Sequence, residues 1–195
     1  MNNHQRTYPL LSACGLNCGL CPRYHTIGAS KCPGCGGEGF YEVRPSCGVL
    51  SCCRRRTIEY CYECEEYPCK KYDDAGVRDS FITHRNRLKD FEKIKNHGLA
   101  AYQSELDQKV QILRELLENY NDGRRKSFFC IAVNLLELED IKEVMTNLRR
   151  GDPCGRPSNP CGRPSILTIK EKSHIAVQLF QDAAEKRNVE LKLNK

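Results

Sequence analysis

The run Cys14-Gly-Leu-Asn-Cys18-Gly-Leu-Cys21-Pro-Arg-Tyr24, followed by Cys32-Pro-Gly-Cys35-Gly36, governs the reading of this chain. Two further groups come after it, Cys47-x4-Cys52-Cys53 and Cys61-Tyr-Glu-Cys64-x4-Cys69, so that eleven cysteines fall within 56 residues. Three of the spacings are C-x2-C. Two thiolates separated by two residues can wrap one tetrahedral ion while the backbone amides of the turn point at the sulfurs, and four thiolates close a structural zinc site. The segment Cys32 to Gly36 shows this best: Pro33 presets the turn, and the glycines supply the positive φ that a tight loop around a metal needs.

Working outward, residues 1–75 are rich in Cys, Gly, Tyr and Pro and poor in Leu and Ile. Such a segment must offset roughly 1 to 2 kcal/mol of backbone entropy per residue with little aliphatic burial. Zinc held by thiolates supplies on the order of 10 to 16 kcal/mol per site, which is the right size to replace a missing core. A thioredoxin-like redox pair would need a strand before the motif and a helix after it, and no apolar strand precedes any of the pairs. Cys14-x3-Cys18-x2-Cys21 also has the spacing of radical enzymes that open an iron–sulfur cluster to S-adenosylmethionine, but only 13 residues precede it. A simple iron–sulfur cluster stays open as the alternative to zinc, because four thiolates serve it equally and Cys21-Pro22 has the Cys-Pro ending of bacterial ferredoxins.

The whole chain has 195 residues, 14 cysteines and a formal net charge of +6. That length can bury a core without disulfides. No secretory signal is readable in residues 1–11, and no run approaches ~18 apolar residues, so the expectation is a cytoplasmic protein without a membrane span. In a reducing compartment, dense cysteines bind metal or do chemistry more often than they form disulfides.

Beyond residue 75 the pattern becomes helical. Ser80 to Asn96 predicts a helix with Phe81, Leu88, Phe91 and Ile94 on one side, stopped by Gly98. Leu106, Val110, Leu113, Leu117 and Tyr120 form a second stripe, ended by Asn121-Asp122-Gly123. Phe128 to Leu136 is apolar nearly all round and should be a buried short helix, with Cys130 as a small buried hydrophobe. Leu138, Ile141, Met145 and Leu148 make a further stripe. A last helix is expected over 173–188, with Ser173 as N-cap and Ile175, Leu179 and Ala183 inward, before a short strand or extended tail at Val189, Leu191 and Leu193. The fold class is therefore α+β or mostly α: an irregular cysteine-rich metal-knuckle module at 1–75, then a small helical bundle at 76–195. A Pro/Gly-rich loop at 151–165 carries the repeat Cys154-Gly-Arg-Pro-Ser158 and Cys161-Gly-Arg-Pro-Ser165. Its two thiols are either plain loop residues or a further ligand or switch pair, with Arg156 and Arg163 beside them.

Taken together, the cysteine strings and the ending Cys61-Tyr-Glu-Cys64-Glu-Glu-Tyr-Pro-Cys69 resemble a prokaryotic cysteine-rich family known only as a domain of unknown function. The resemblance spans roughly residues 10–75. It implies metal binding, with zinc as the expected ion, and no activity. Ten cysteines match its pattern: Cys14, Cys18, Cys21, Cys32, Cys35, Cys47, Cys52, Cys61, Cys64 and Cys69. These are the expected ligands, enough for two or more zinc ions, and Cys53 falls outside the pattern. Since ten is not a multiple of four, a bridged ion, two spare thiols or another donor such as His25 is required.

No nucleophile with a base, no carboxylate pair and no phosphate loop stands out, so the expectation is a binding or regulatory protein ahead of an enzyme. A zinc position left open to water would change that. Arg54-Arg55-Arg56 and Arg124-Arg125-Lys126 are basic triplets, yet residues 1–75 hold 9 Lys plus Arg against 8 Asp plus Glu. A protein partner is therefore expected ahead of nucleic acid.

Overall fold

The computed structural model describes residues 5–44, 46–73, 76–151 and 167–195. Seven α-helices and no β-strand occur among them. The mostly-α alternative is thus the one observed, and Val189, Leu191 and Leu193 lie in an extended tail. The repeat with Cys154 and Cys161 lies outside the described residues. Chain contacts define two compact units, Met1–Val110 with Leu193–Lys195, and Gln111–Lys192. Composition changes near residue 75, but contacts group the next 35 residues with the cysteine-rich segment.

The first unit holds α1 (Phe40–Val43), α2 (Gly48–Arg56), α3 (Arg87–His97) and the start of α4 (Leu99–Asn119), with short 3₁₀ turns at Cys18–Leu20, Cys61–Glu63 and Lys70–Tyr72. Its interior relies on aromatic rings where aliphatic residues are scarce. Phe91 is fully buried and meets Tyr62 at 5.1 Å and Tyr67 at 5.6 Å between ring centroids. Tyr67 in turn meets Tyr72 edge-on at 5.1 Å. Such pairs add about 0.5 to 1.5 kcal/mol each beyond the area they bury.

Helix α3 begins seven residues later than its periodicity suggests. The Asp79 carboxylate explains this, because it accepts from the backbone N–H of His84 at 2.6 Å and of Asn194 at 2.9 Å and so holds the chain in turns. Phe81 and Leu88 consequently stay outside, 54% and 39% exposed. The buried side of α3 is Arg87, Asp90, Phe91 and Ile94, which polar residues made hard to see as a stripe.

The second unit contains the rest of α4 with α5 (Lys126–Leu135), α6 (Leu138–Gly151) and α7 (Ile169–Lys186). Between α4 and α5, Asn121 Oδ1 accepts from the amides of Gly123 and Arg125, the side-chain turn that the sequence foretells. Helix α5 is buried on most sides, Cys130 included. Helix α7 starts four residues earlier than expected, because Thr168 and Glu171 form a reciprocal capping box. Ser173 is therefore inside the helix and buried, and the inward face is Ala176, Val177, Phe180 and Ala184, not the stripe through Ile175.

This rotation gives a direct test by urea unfolding. Phe180 is fully buried against Phe129, whereas Ile175 is 39% exposed. Phe180→Ala should lower stability by about 3 to 5 kcal/mol and Ile175→Ala by less than about 1 kcal/mol.

Candidate metal centre

The turn that carries the first cysteines is pinned by buried polar groups. Ser12 Oγ accepts from the Leu16 amide at 2.7 Å and lies 3.1 Å from Cys14 Sγ. The Cys14 carbonyl accepts from Arg87 Nε at 3.0 Å and from Tyr72 Oη at 3.2 Å. Gly15 sits against the Phe91 ring, where an added Cβ would come within 3.1 Å of ring carbons. On the other side, Arg6 is 3% exposed. Its Nη1 donates to the Leu11 carbonyl at 2.7 Å, its Nε donates to Glu59 at 2.7 Å, and its guanidinium lies 4.7 Å from the Tyr60 ring centre.

Two of the C-x2-C pairs have the same local structure. Cys18 and Cys61 each open a 3₁₀ turn, and Cys21 and Cys64 each follow it with φ −81° and ψ 136°. The Cys21 amide donates to the Cys18 carbonyl at 3.1 Å, and the Cys64 amide to the Cys61 carbonyl at 3.0 Å. A tyrosine amide three residues further on closes each turn, Tyr24 onto Cys21 and Tyr67 onto Cys64. The Cys21 sulfur also accepts backbone hydrogen bonds from Arg23 and Tyr24, which is the amide-to-sulfur arrangement of a metal knuckle. The third pair, Cys32 and Cys35, is held by Cys32 N–H on Arg23 and Cys35 N–H on Pro9. Gly34, at φ +88°, leaves no room there, since a Cβ would come within 2.4 Å of the Pro9 carbonyl oxygen.

The thiols fall into two groups. Burial pushes the Cys18 thiol well above its ordinary value, and the neighbouring thiols of Cys35, Cys14, Cys21 and Cys32 oppose its ionisation further. Burial likewise raises Cys35 to about 11, although Arg6 draws it down; Cys14 and Cys47 act against ionisation. These six make the first group. The second lines one small cavity of about 30 Å³, walled by Cys52, Cys53, Cys61, Cys64 and Cys69 with Tyr67, Tyr72, Arg56 and Lys71. Within it Cys53 and Cys61 are 3.6 Å apart at sulfur. That contact lowers Cys61 and raises Cys53, with Tyr72 and the Arg87 and Lys71 charges also favouring the Cys61 thiolate. As placed, no three His, Cys, Asp or Glu side chains among the described residues are gathered closely enough to hold an ion. All twelve described cysteines are free thiols.

Residues 10–74 match the family model described as Protein of unknown function (DUF3795). The matched segment takes in both thiol groups from Cys14 to Cys69 and ends before α3. No curated protein and no solved structure matches the chain.

Of the residues singled out from sequence, His25 places its Nε2 2.7 Å from the Gly19 carbonyl oxygen, a contact that fixes the ring through one nitrogen. Arg54 and Arg56 of the basic triplet are engaged with Tyr41 and Glu66. Cys53 was left out of the DUF3795-like pattern, yet it stands in the second group; its three-residue step from Leu50 on the buried face of α2 was the available signal. No sequence signal marked Asn17, which lies between Cys14 and Cys18. Its Nδ2 donates to Asp90 Oδ2 at 2.9 Å and its Oδ1 accepts from Tyr102 Oη at 2.9 Å, so a buried carboxylate on α3 holds the first knuckle.

Burial raises Asp90 to about 6, against the pull of Lys109 and of the bonds from Tyr102 and Asn17. The folded state therefore binds this proton more tightly than the unfolded chain does. The stability this gives is present below about pH 4 and is lost as pH rises through about 6. Relative to Asp90→Asn, the wild type should lose on the order of 2 to 3 kcal/mol between pH 4 and pH 7, read as the difference between paired urea titrations. A constant difference would show that Asp90 does not titrate in this range.

Proposed function

We propose that the cysteine-rich segment is a metal-binding module, with zinc held by thiolates at two positions and serving as its scaffold. The observation that supports this best is the twinned turn: Cys18-x2-Cys21 and Cys61-x2-Cys64 adopt one backbone conformation in two separate thiol groups. The group of Cys14, Cys18, Cys21, Cys32, Cys35 and Cys47 has six sulfurs for a four-coordinate ion, and the Arg6 and Arg87 anchors leave its first turn little freedom. Closing an ion at either position requires cysteine side chains to turn inward on turns that are otherwise in place.

With ions bound, each four-thiolate site would carry a net charge of about −2, so the module would be acidic despite its near-balanced formal charge. A binding or regulatory role in the cytoplasm follows from this reading, with a protein partner preferred to nucleic acid. Ile27, Val77, Phe81 and Leu88 are the large exposed apolar residues of this unit that a partner could cover.

Purification without air, followed by metal analysis and an absorption spectrum, tests the reading. About two zinc ions per colourless chain are expected; a brown protein with iron and bands near 400 nm would replace zinc by an iron–sulfur cluster. Chelation should then expose residues 14–69 to protease while α5 to α7 stay resistant. Unchanged protease resistance after full metal loss would remove the scaffold role.

A further inference from the structure

The second thiol group offers five sulfurs, and the one that the family-like spacing omits is the most deeply buried. We infer that Cys53, together with Cys61, Cys64 and Cys69, is the ligand set of the second position, and that Cys52 is the thiol left over. This rests on the metal reading above and names the residues of one of its sites.

Sulfur positions carry the argument. Zinc–sulfur bonds of about 2.3 Å put the sulfurs of a tetrahedral site about 3.8 Å apart, and Cys53 and Cys61 already stand at 3.6 Å. Both are buried, at 2% and 9% exposure, on the wall of the same cavity. Its volume of about 30 Å³ exceeds the roughly 10 to 15 Å³ that one water-sized species occupies on this measure.

Helix α2 separates the two adjacent cysteines. Cys53 is three residues from buried Leu50 and faces inward with it, and its carbonyl accepts from the amides of Thr57 and Ile58 as the helix closes. Cys52 lies about 100° around the helix, off the face that buries Leu50 and Cys53, and is hydrogen-bonded to the Arg56 guanidinium. A thiol facing a guanidinium must give up that contact to take a metal cation, whereas Cys53 faces another thiol. Cys61 and Cys64 come from the turn that duplicates the first knuckle, and Cys69 precedes the Lys70–Tyr72 turn that completes the cavity wall.

The full-length chain and two variants, Cys53→Ser and Cys52→Ser, are purified without air and their zinc is counted by elemental analysis. The wild type should hold two zinc ions, Cys53→Ser one, and Cys52→Ser two. Loss of an ion from Cys52→Ser with two retained by Cys53→Ser overturns the assignment, as does retention of two by both. If Cys53→Ser does not fold, Cys52→Ser alone decides: two ions support the ligand set and one overturns it. A wild type with no zinc and no iron overturns the metal reading itself, which separates that failure from a wrong choice of cysteine.

Discussion

A segment with no sheet and few helical turns must find donors for its backbone carbonyls by other means, because an unpaired buried carbonyl costs about as much as a lost hydrogen bond. Here the donors are two buried guanidinium groups. Arg6 serves the Leu11 carbonyl, and Arg87, with the Tyr72 hydroxyl, serves that of Cys14. Each cation is itself covered by an aromatic face, Tyr60 for Arg6 and Tyr72 for Arg87 at 4.4 Å. The first cysteine turn is thereby held before any ion is considered. The aromatic cluster around Phe91 can then pack on a fixed backbone, and the thiol groups inherit their positions from it.

This division of labour makes sense of the cysteine count. Ten pattern-matching cysteines do not divide into sets of four, and the spacing alone left open a bridged ion or a non-thiol donor. Grouping in space gives six thiols and five, so both groups have a surplus over a tetrahedral shell. Thiols alone therefore suffice in number for a tetrahedral shell in either group, without His25.

Legibility in the sequence followed the kind of interaction at stake. The α4 and α6 stripes and the apolar run of α5 were readable because aliphatic side chains at helical spacing decide those faces by burial alone. The α3 face was not, because two of its four buried residues are Arg87 and Asp90, whose partners lie some 70 positions away at Cys14 and Asn17. The start of α7 was missed for a local reason: the Thr168 and Glu171 box outcompetes a serine that looks like a cap but sits a turn too late. At the site, the C-x2-C turns were legible because they are local. The role of Arg6 and the inward position of Cys53 were not, since each depends on where a distant segment packs.

The reach of Arg6 also bears on how the protein is made. Its charge partner Glu59 lies 53 residues further along the chain, and Arg87 is later still. At roughly 5 to 20 residues per second of synthesis, the first cysteine is added roughly 2 to 9 s before the residue that fixes Arg6. For that interval the thiols of Cys14, Cys18 and Cys21 belong to an unanchored nascent chain. Early capture of an ion by the Cys18 and Cys21 turn, whose closing backbone bonds are local, would shield these sulfurs from oxidation until the distant anchors arrive.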